Sequence, residues 1–295
     1  MKTGAATIRV ARPRAGDFLA LTKPRLNTLV IVTAGVGYSL GAAAFDLLLF
    51  LHTVIGSALV AGGAATLNQV SERDIDQMME RTRHRPLPTG RVQPGEARAF
   101  GVFLSSVGML QLGIGATPAA ALVAFVTLVT YVIIYTPLKR RTHWATIVGA
   151  VPGALPPVIG WAAARGAVTV EAWVLFGIVF LWQLPHFYAL SWMYRSDYRR
   201  AGLPLMAVID QDGHRNARHA MFFCVALLPV SLGPSLVGLT GQLYAGAAFG
   251  FGMAFLILAW RLTEHPSAIR ARALFVGSLV YLPLLLGLLV IDSVF

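Results

Sequence analysis

The chain has 295 residues, of which 56% are hydrophobic and 13% charged, against roughly 25% charged residues in a soluble domain. With a mean hydropathy of +0.67, this excludes a water-soluble globular enzyme, a disordered chain and a fibrous repeat, and calls for a lipid bilayer as solvent. The net charge of +11, from 24 Lys and Arg against 13 Asp and Glu, would point to nucleic acid in a soluble protein; in a membrane protein it first marks cytoplasmic loops, and no nucleic-acid partner is expected.

The chain opens with Lys2, Arg9, Arg12, Arg14, Lys23 and Arg25. Residues 1–22 read as a basic tail. No short apolar core with a cleavage site precedes the first span, so no removable signal peptide is expected. Nine apolar runs then follow, each near the ~20 residues a membrane helix needs. They cover about 27–45, 47–71, 95–116, 118–136, 145–164, 170–193, 217–238, 241–262 and 271–293. This pattern predicts an all-α membrane protein and one domain over 1–295. With the N-terminus in the cytoplasm, every Lys and Arg except Arg165 falls on the inner side, as the positive-inside rule requires. The outer connections are short. Two inner ones, about 72–94 and 194–216, are long and mix acids with bases, which places the chemistry at the cytoplasmic mouth. The single cysteine, Cys224, lies in an apolar run and reads as packing.

The second span leads into Asn68-Gln-Val-Ser-Glu72-Arg-Asp74-Ile-Asp76, and Arg81, Arg83 and Arg85 follow. On a continued helix Asn68, Glu72 and Asp76 share one face. Like charges spaced this way repel unless a cation sits between them. Amide and carboxylate oxygens suit Mg²⁺, which usually shares its shell with phosphate, and arginine forks match phosphate oxygens. The stretch therefore reads as a metal-diphosphate site. A solvated juxtamembrane helix carrying positive-inside arginines accounts for the same residues less specifically.

Further on stands Tyr135-Thr-Pro-Leu-Lys139-Arg140-Arg141, whose basic cluster suits either diphosphate or the anchoring of a span. Gly149, Gly153 and Gly160 suit close helix approach. The sixth span carries Trp182, Gln183, Pro185 and His186 at membrane depth, and polar groups there are functional by default. Trp192 and Tyr194, nearer its end, also suit an interfacial aromatic belt. Asp197 follows in the loop. Spans seven to nine carry almost no interior polar residues and read as scaffold.

The Asn68-xxx-Glu72-xxx-Asp76 motif with the following ERTRHRPLPTG resembles the first acidic motif of the intramembrane prenyltransferases of the UbiA type. YTPLKRRT, PGALPPVIGWAA and FLWQLPHFYALSWMYRSDYRRAGLPLM resemble the branch of that family that farnesylates haem. The resemblance runs by motif from about Lys23 to Pro204. It implies a bundle of nine transmembrane helices around a central cavity open to the cytoplasmic side, in the bacterial inner membrane. It implies farnesyl diphosphate and haem b as substrates and Mg²⁺ as cofactor, with Mn²⁺ as a substitute. Haem A synthase or a terminal-oxidase assembly factor is the implied downstream partner. On this resemblance Asn68, Glu72, Asp76 and Asp197 hold metal and carry catalysis. Arg81, Arg85, Lys139 and Arg140 hold diphosphate, and His186, Tyr135 and Trp182 meet haem. Two positions depart from the family pattern. Glu72 stands where Asp is usual, and Met193 stands four residues before Asp197, where a second acid is usual. A family member with a quinone or chlorin precursor as acceptor, and a transporter of a phosphorylated lipid or anion, are the rival readings. Against the transporter, no inverted repeat is visible and the charged groups gather on one side.

Overall fold

In the computed structural model, residues 13–294 are described, and they are helical throughout apart from their connections. Nine long helices form the body: α1 (Pro24–Gly41), α2 (Leu47–Ser71), α3 (Pro94–Gly115), α4 (Pro118–Leu138), α5 (Ala145–Arg165), α6 (Val170–Met193), α7 (His214–Leu236), α8 (Gln242–Glu264) and α9 (Ala268–Val294). The last eight are long and apolar enough to cross a membrane. The first is 18 residues long and begins with a polar turn, Pro-Arg-Leu-Asn. All nine lie within a few residues of the expected runs. They form a ring: α2 packs on α3, α1 on α5, α6 on α7 and α9, α7 on α8, and α9 returns to touch α1.

In a bilayer, lipid tails compete with apolar side chains for contact, so close backbone approach decides helix pairing. The α1–α5 crossing shows this. A Cβ at Gly160 would stand 1.9 Å from the Ala34 carbonyl oxygen, and one at Gly37 would stand 2.0 Å from that of Pro157. Only glycine fits either position. Proline shapes the same helix: Pro152 and Pro156-Pro157 bracket a bend at Leu155, which separates two ten-residue halves. Cys224 is buried in the core, as expected of a packing residue.

The connections depart from a plain loop reading. Of the basic tail, Lys2, Arg9 and Arg12 lie outside the described residues. Its remainder contains a helix, Ala15–Leu21. Leu21 is buried there against Leu87, Val92 and Ala97, and Asp17 pairs with Arg91 at 2.8 Å. The two long connections contain short helices, Arg73–Met78, Arg195–Arg200 and Met206–Ile209. Ile75 and Met79 of the first pack on Tyr198, Leu203 and Leu205 of the second, making one cap.

Candidate active site

Beneath this cap lies a chamber of about 430 Å³ whose deeper wall is mostly apolar and whose mouth is charged. Its rim is made by the ends of α2 and α4, the start of α1 and the first cap segment. α2 ends at Ser71, and Glu72 turns the chain into Arg73–Met78 with φ −99° and ψ 7°. The expected continuous helical face is therefore broken at Glu72. The Asp76 N–H still donates to the Glu72 carbonyl at 2.9 Å, so Asn68, Glu72 and Asp76 all reach the chamber. They are 2%, 4% and 1% exposed.

Carboxylates this deeply buried need counter-charges, and the chain supplies one to each. Lys139 Nζ donates to Glu72 Oε1 at 3.0 Å and Oε2 at 3.2 Å. Arg85 Nη1 donates to Asp76 Oδ2 at 2.8 Å. Lys23 Nζ donates to Asn68 Oδ1 at 3.0 Å. Burial on its own would raise the Glu72 carboxyl, but Lys139 and Lys23 outweigh it and hold the group below its ordinary value. Burial, with Arg85 nearby, pulls Lys23 down to about 8.

The backbone under this rim is irregular where it has to be. Pro137 has no N–H to offer the preceding turn, and residues Thr130–Tyr135 widen into a π-helical turn, a feature common at functional sites. The Thr136 N–H and hydroxyl both reach back to the Tyr131 carbonyl, the hydroxyl at 2.8 Å. Asn68 Nδ2 donates to the same hydroxyl oxygen at 3.1 Å. Asn68 is thus held from both ends, with its carbonyl oxygen turned to Lys23. The wide turn brings Tyr131 and Tyr135 into the chamber as a stacked pair, centroids 5.4 Å apart. Gly149 leaves the space that the Tyr135 ring fills, and Gly153 the space for Gln183 Oε1.

Of the residues singled out from sequence, Asn68, Glu72, Asp76, Arg81, Arg85, Lys139, Tyr135, Trp182 and His186 line this one chamber. Two do not. Arg140 Nη2 donates to the Ser71 carbonyl at 2.6 Å, capping the end of α2. Asp197 accepts from the Arg81 N–H at 3.4 Å and pairs with Arg200, tying the two cap segments together. Arg81 and Arg85 are four residues apart, the spacing of one helical turn, but residues 79–92 fold as turns. They meet at the rim through the cap rather than through a helix face. α6 stays helical through Pro185, and His186 meets a serine hydroxyl on α9. Trp182 donates to the carbonyl of the same serine. α9 is therefore more than scaffold.

Sequence reasoning missed Lys23, Tyr131 and Tyr198 as chamber residues. Lys23 was counted as a positive-inside charge. It is the one non-glycine residue with positive φ (49°) among the described residues, a strained setting typical of functional positions. A lysine directly before the proline that opens a span was its only sequence signal.

The oxygens of Asn68, Glu72 and Asp76 form a hard donor set at a single rim. Among the described residues no three His, Cys, Asp or Glu side chains converge as a ready-made cage. The arrangement fits Mg²⁺, which binds through few protein oxygens and keeps places for water and phosphate.

An apolar chamber inside a helical membrane bundle, under a rim of alternating carboxylates and cations, defines a class of membrane protein built for amphiphiles with anionic heads. The UbiA prenyltransferase family model matches residues 29–285, and the chain belongs to that family. It is 46% identical to a protohaem IX farnesyltransferase of Solibacter usitatus, over 94% of this chain and 98% of the relative. It is 43% identical to one of Opitutus terrae, over 98% and 99%. Among solved structures, a digeranylgeranylglyceryl phosphate synthase shares the fold with a TM-score of 0.80 at 15% identity, covering 95% of this chain and 98% of that one. A UbiA homologue from Archaeoglobus fulgidus bound to GPP and Mg²⁺ does so with a TM-score of 0.69 at 13% identity, covering 93% and 99%.

Proposed function

We propose that this chain transfers the farnesyl group of farnesyl diphosphate to a vinyl group of haem b, giving haem O and diphosphate. The observation that carries the reading is the rim itself: three buried oxygen-bearing side chains interleaved with Lys23, Arg85 and Lys139, opening onto an apolar chamber with aromatic walls. The rim matches a metal-neutralised diphosphate and the chamber matches a prenyl chain. The farnesyltransferase relatives, similar over nearly the whole chain, add the acceptor.

Asn68, Glu72 and Asp76 would hold Mg²⁺, or Mn²⁺ in its place, which supplies Lewis-acid neutralisation of the departing diphosphate. Arg81, Arg85, Lys23 and Lys139 bind the diphosphate oxygens and stabilise the charge that develops as the allylic C–O bond breaks. When diphosphate and metal enter, the internal pairs Lys139–Glu72 and Arg85–Asp76 exchange partners: each cation turns to phosphate and each carboxylate to the metal. The apolar wall excludes water from the allylic carbon until the vinyl terminus reaches it. A bond then forms between C1 of the farnesyl group and the terminal vinyl carbon. Water adds at the neighbouring carbon and loses a proton, leaving a hydroxyethylfarnesyl side chain. Trp182, Tyr135 and His186 face the porphyrin. Asp197 orients the cap, and Arg140 holds the end of α2.

In the same reading, 1–295 is one domain spanning the bacterial inner membrane nine times, with the N-terminus and the cap in the cytoplasm. A haem A synthase or a terminal-oxidase assembly factor takes the product. Diphosphate release by the purified protein in lipid nanodiscs, with haem b or 4-hydroxybenzoate as acceptor, tests the choice of acceptor. Release that depends on haem b and Mg²⁺ supports the reading, and release with the benzoate alone overturns it.

A further inference from the structure

We propose that Ser278, on α9, is a positioning residue that fixes the tautomer of His186 and so presents its Nε2 as an axial ligand to the iron of the porphyrin substrate. The inference rests on haem b being that substrate.

The Ser278 hydroxyl has one proton, and Oγ donates it to the Phe275 carbonyl at 2.5 Å. The same Oγ lies 2.7 Å from His186 Nδ1. With its proton committed, Oγ can only accept there, so Nδ1 carries the imidazole hydrogen. Nε2 is then the lone-pair nitrogen. It has no hydrogen-bond partner among the described residues and is absent from their buried unpaired atoms, and His186 lines the chamber. An imidazole whose Nδ1–H is held by an oxygen and whose Nε2 is bare is the form that binds iron, and the held hydrogen raises the basicity of the ligating nitrogen.

The surroundings favour this one arrangement. The His186 ring is packed by Phe275 (centroids 4.6 Å), Trp182 (5.4 Å) and Phe187 (5.6 Å). Trp182 is locked in turn, since its Nε1 donates to the Ser278 carbonyl at 2.8 Å. One fully buried serine therefore sets both an imidazole and an indole on the chamber wall. Neither α9 nor Ser278 contributes an atom to the diphosphate rim, so the role is separate from farnesyl diphosphate binding.

The test is ligand binding to the purified full-length protein in nanodiscs, with ferrous haem b followed by resonance Raman and absorption spectroscopy. The wild type should show an iron–histidine stretching band, and His186→Ala should lose it. Ser278→Ala should move the band to lower frequency and weaken haem affinity about tenfold or more, the usual effect of losing a partner behind a metal ligand. Ser278→Thr should restore both. Iron-free protoporphyrin IX and farnesyl diphosphate should bind Ser278→Ala as they bind the wild type. An unmoved band with unchanged affinity, or equal losses of haem and protoporphyrin IX, would overturn the proposal. If Ser278→Ala fails to fold, His186→Gly decides: added imidazole should restore the wild-type Soret band, and no restoration refutes iron ligation. A wild type that farnesylates haem b without an iron–histidine band sinks this proposal and leaves the function standing. A wild type that neither binds nor farnesylates haem b sinks both.

Discussion

Glu72 and Lys139 are the most completely internal ion pair of the rim, with side chains 5% and 16% exposed. Replacing Glu72 by Leu leaves the Lys139 ammonium in the chamber wall without an acceptor. Breaking a buried pair costs about 3–5 kcal/mol. Lys139 keeps some access to the chamber, so the lower end applies, about 3 kcal/mol, or a fall in Tm of roughly 6 °C for a chain of this size. Lys139→Met strands the Glu72 carboxylate and should cost at least as much. Removing both charges together should recover most of the loss, because well-packed apolar residues replace a buried pair at little cost. Turnover should follow a different pattern. In the proposed mechanism both singles and the double remove groups that bind diphosphate or metal, so all three should lose about 10²-fold or more in kcat/KM. Thermal unfolding of nanodisc-reconstituted protein, beside haem-dependent diphosphate release, separates the two effects. A double variant that regains activity along with stability would refute the assignment of the pair to chemistry, and singles as stable as the wild type would refute the burial argument.

Asp76→Asn keeps the shape and a hydrogen-bond acceptor for Arg85 but loses the charge; turnover should fall about 10²-fold, with the Mg²⁺ concentration for half-maximal activity raised, while folding is retained. Arg85→Lys keeps the charge but loses the guanidinium fork, so the KM for farnesyl diphosphate should rise in steady-state assays while haem binding stays unchanged. Gly160→Ala places a methyl group against the Ala34 carbonyl oxygen; the yield of folded protein in size-exclusion chromatography should collapse. Lys23 titrates near 8 when folded, against 10.5 as a free side chain, so between those values the unfolded chain binds more protons and stability rises with pH. Unfolding measured from pH 7.5 to 10 should show that rise in the wild type, and Lys23→Met should flatten it.

Most of the architecture is written in the sequence because membrane helices announce themselves by length and apolarity, and each long helix falls within a few residues of its apolar run. The grouping of the first acidic motif was equally legible: Asn68, Glu72 and Asp76 all line the one chamber, though the helical face expected to carry them breaks at Glu72. What the sequence hides is what depends on tertiary return. Arg81 and Arg85 converge through a folded cap, not through a helical repeat. Asp197 and Arg140 look like ligands in a one-dimensional motif, yet the chain uses one to tie two cap segments and the other to cap α2. Lys23 was lost among positive-inside charges. Ser278 is one serine in an apolar span, and only the meeting of α6 and α9 gives it meaning.

The central claim is the transfer of a C15 prenyl group to haem. The most direct measurement is mass analysis of the haem recovered after the purified protein is incubated with haem b, farnesyl diphosphate and Mg²⁺. Transfer to haem predicts a haem heavier by one farnesyl group plus one hydroxyl group, formed only when all three are present and about 10²-fold more slowly by Asp76→Asn. Recovery of unmodified haem b from protein that still releases diphosphate to another prenyl acceptor would contradict it.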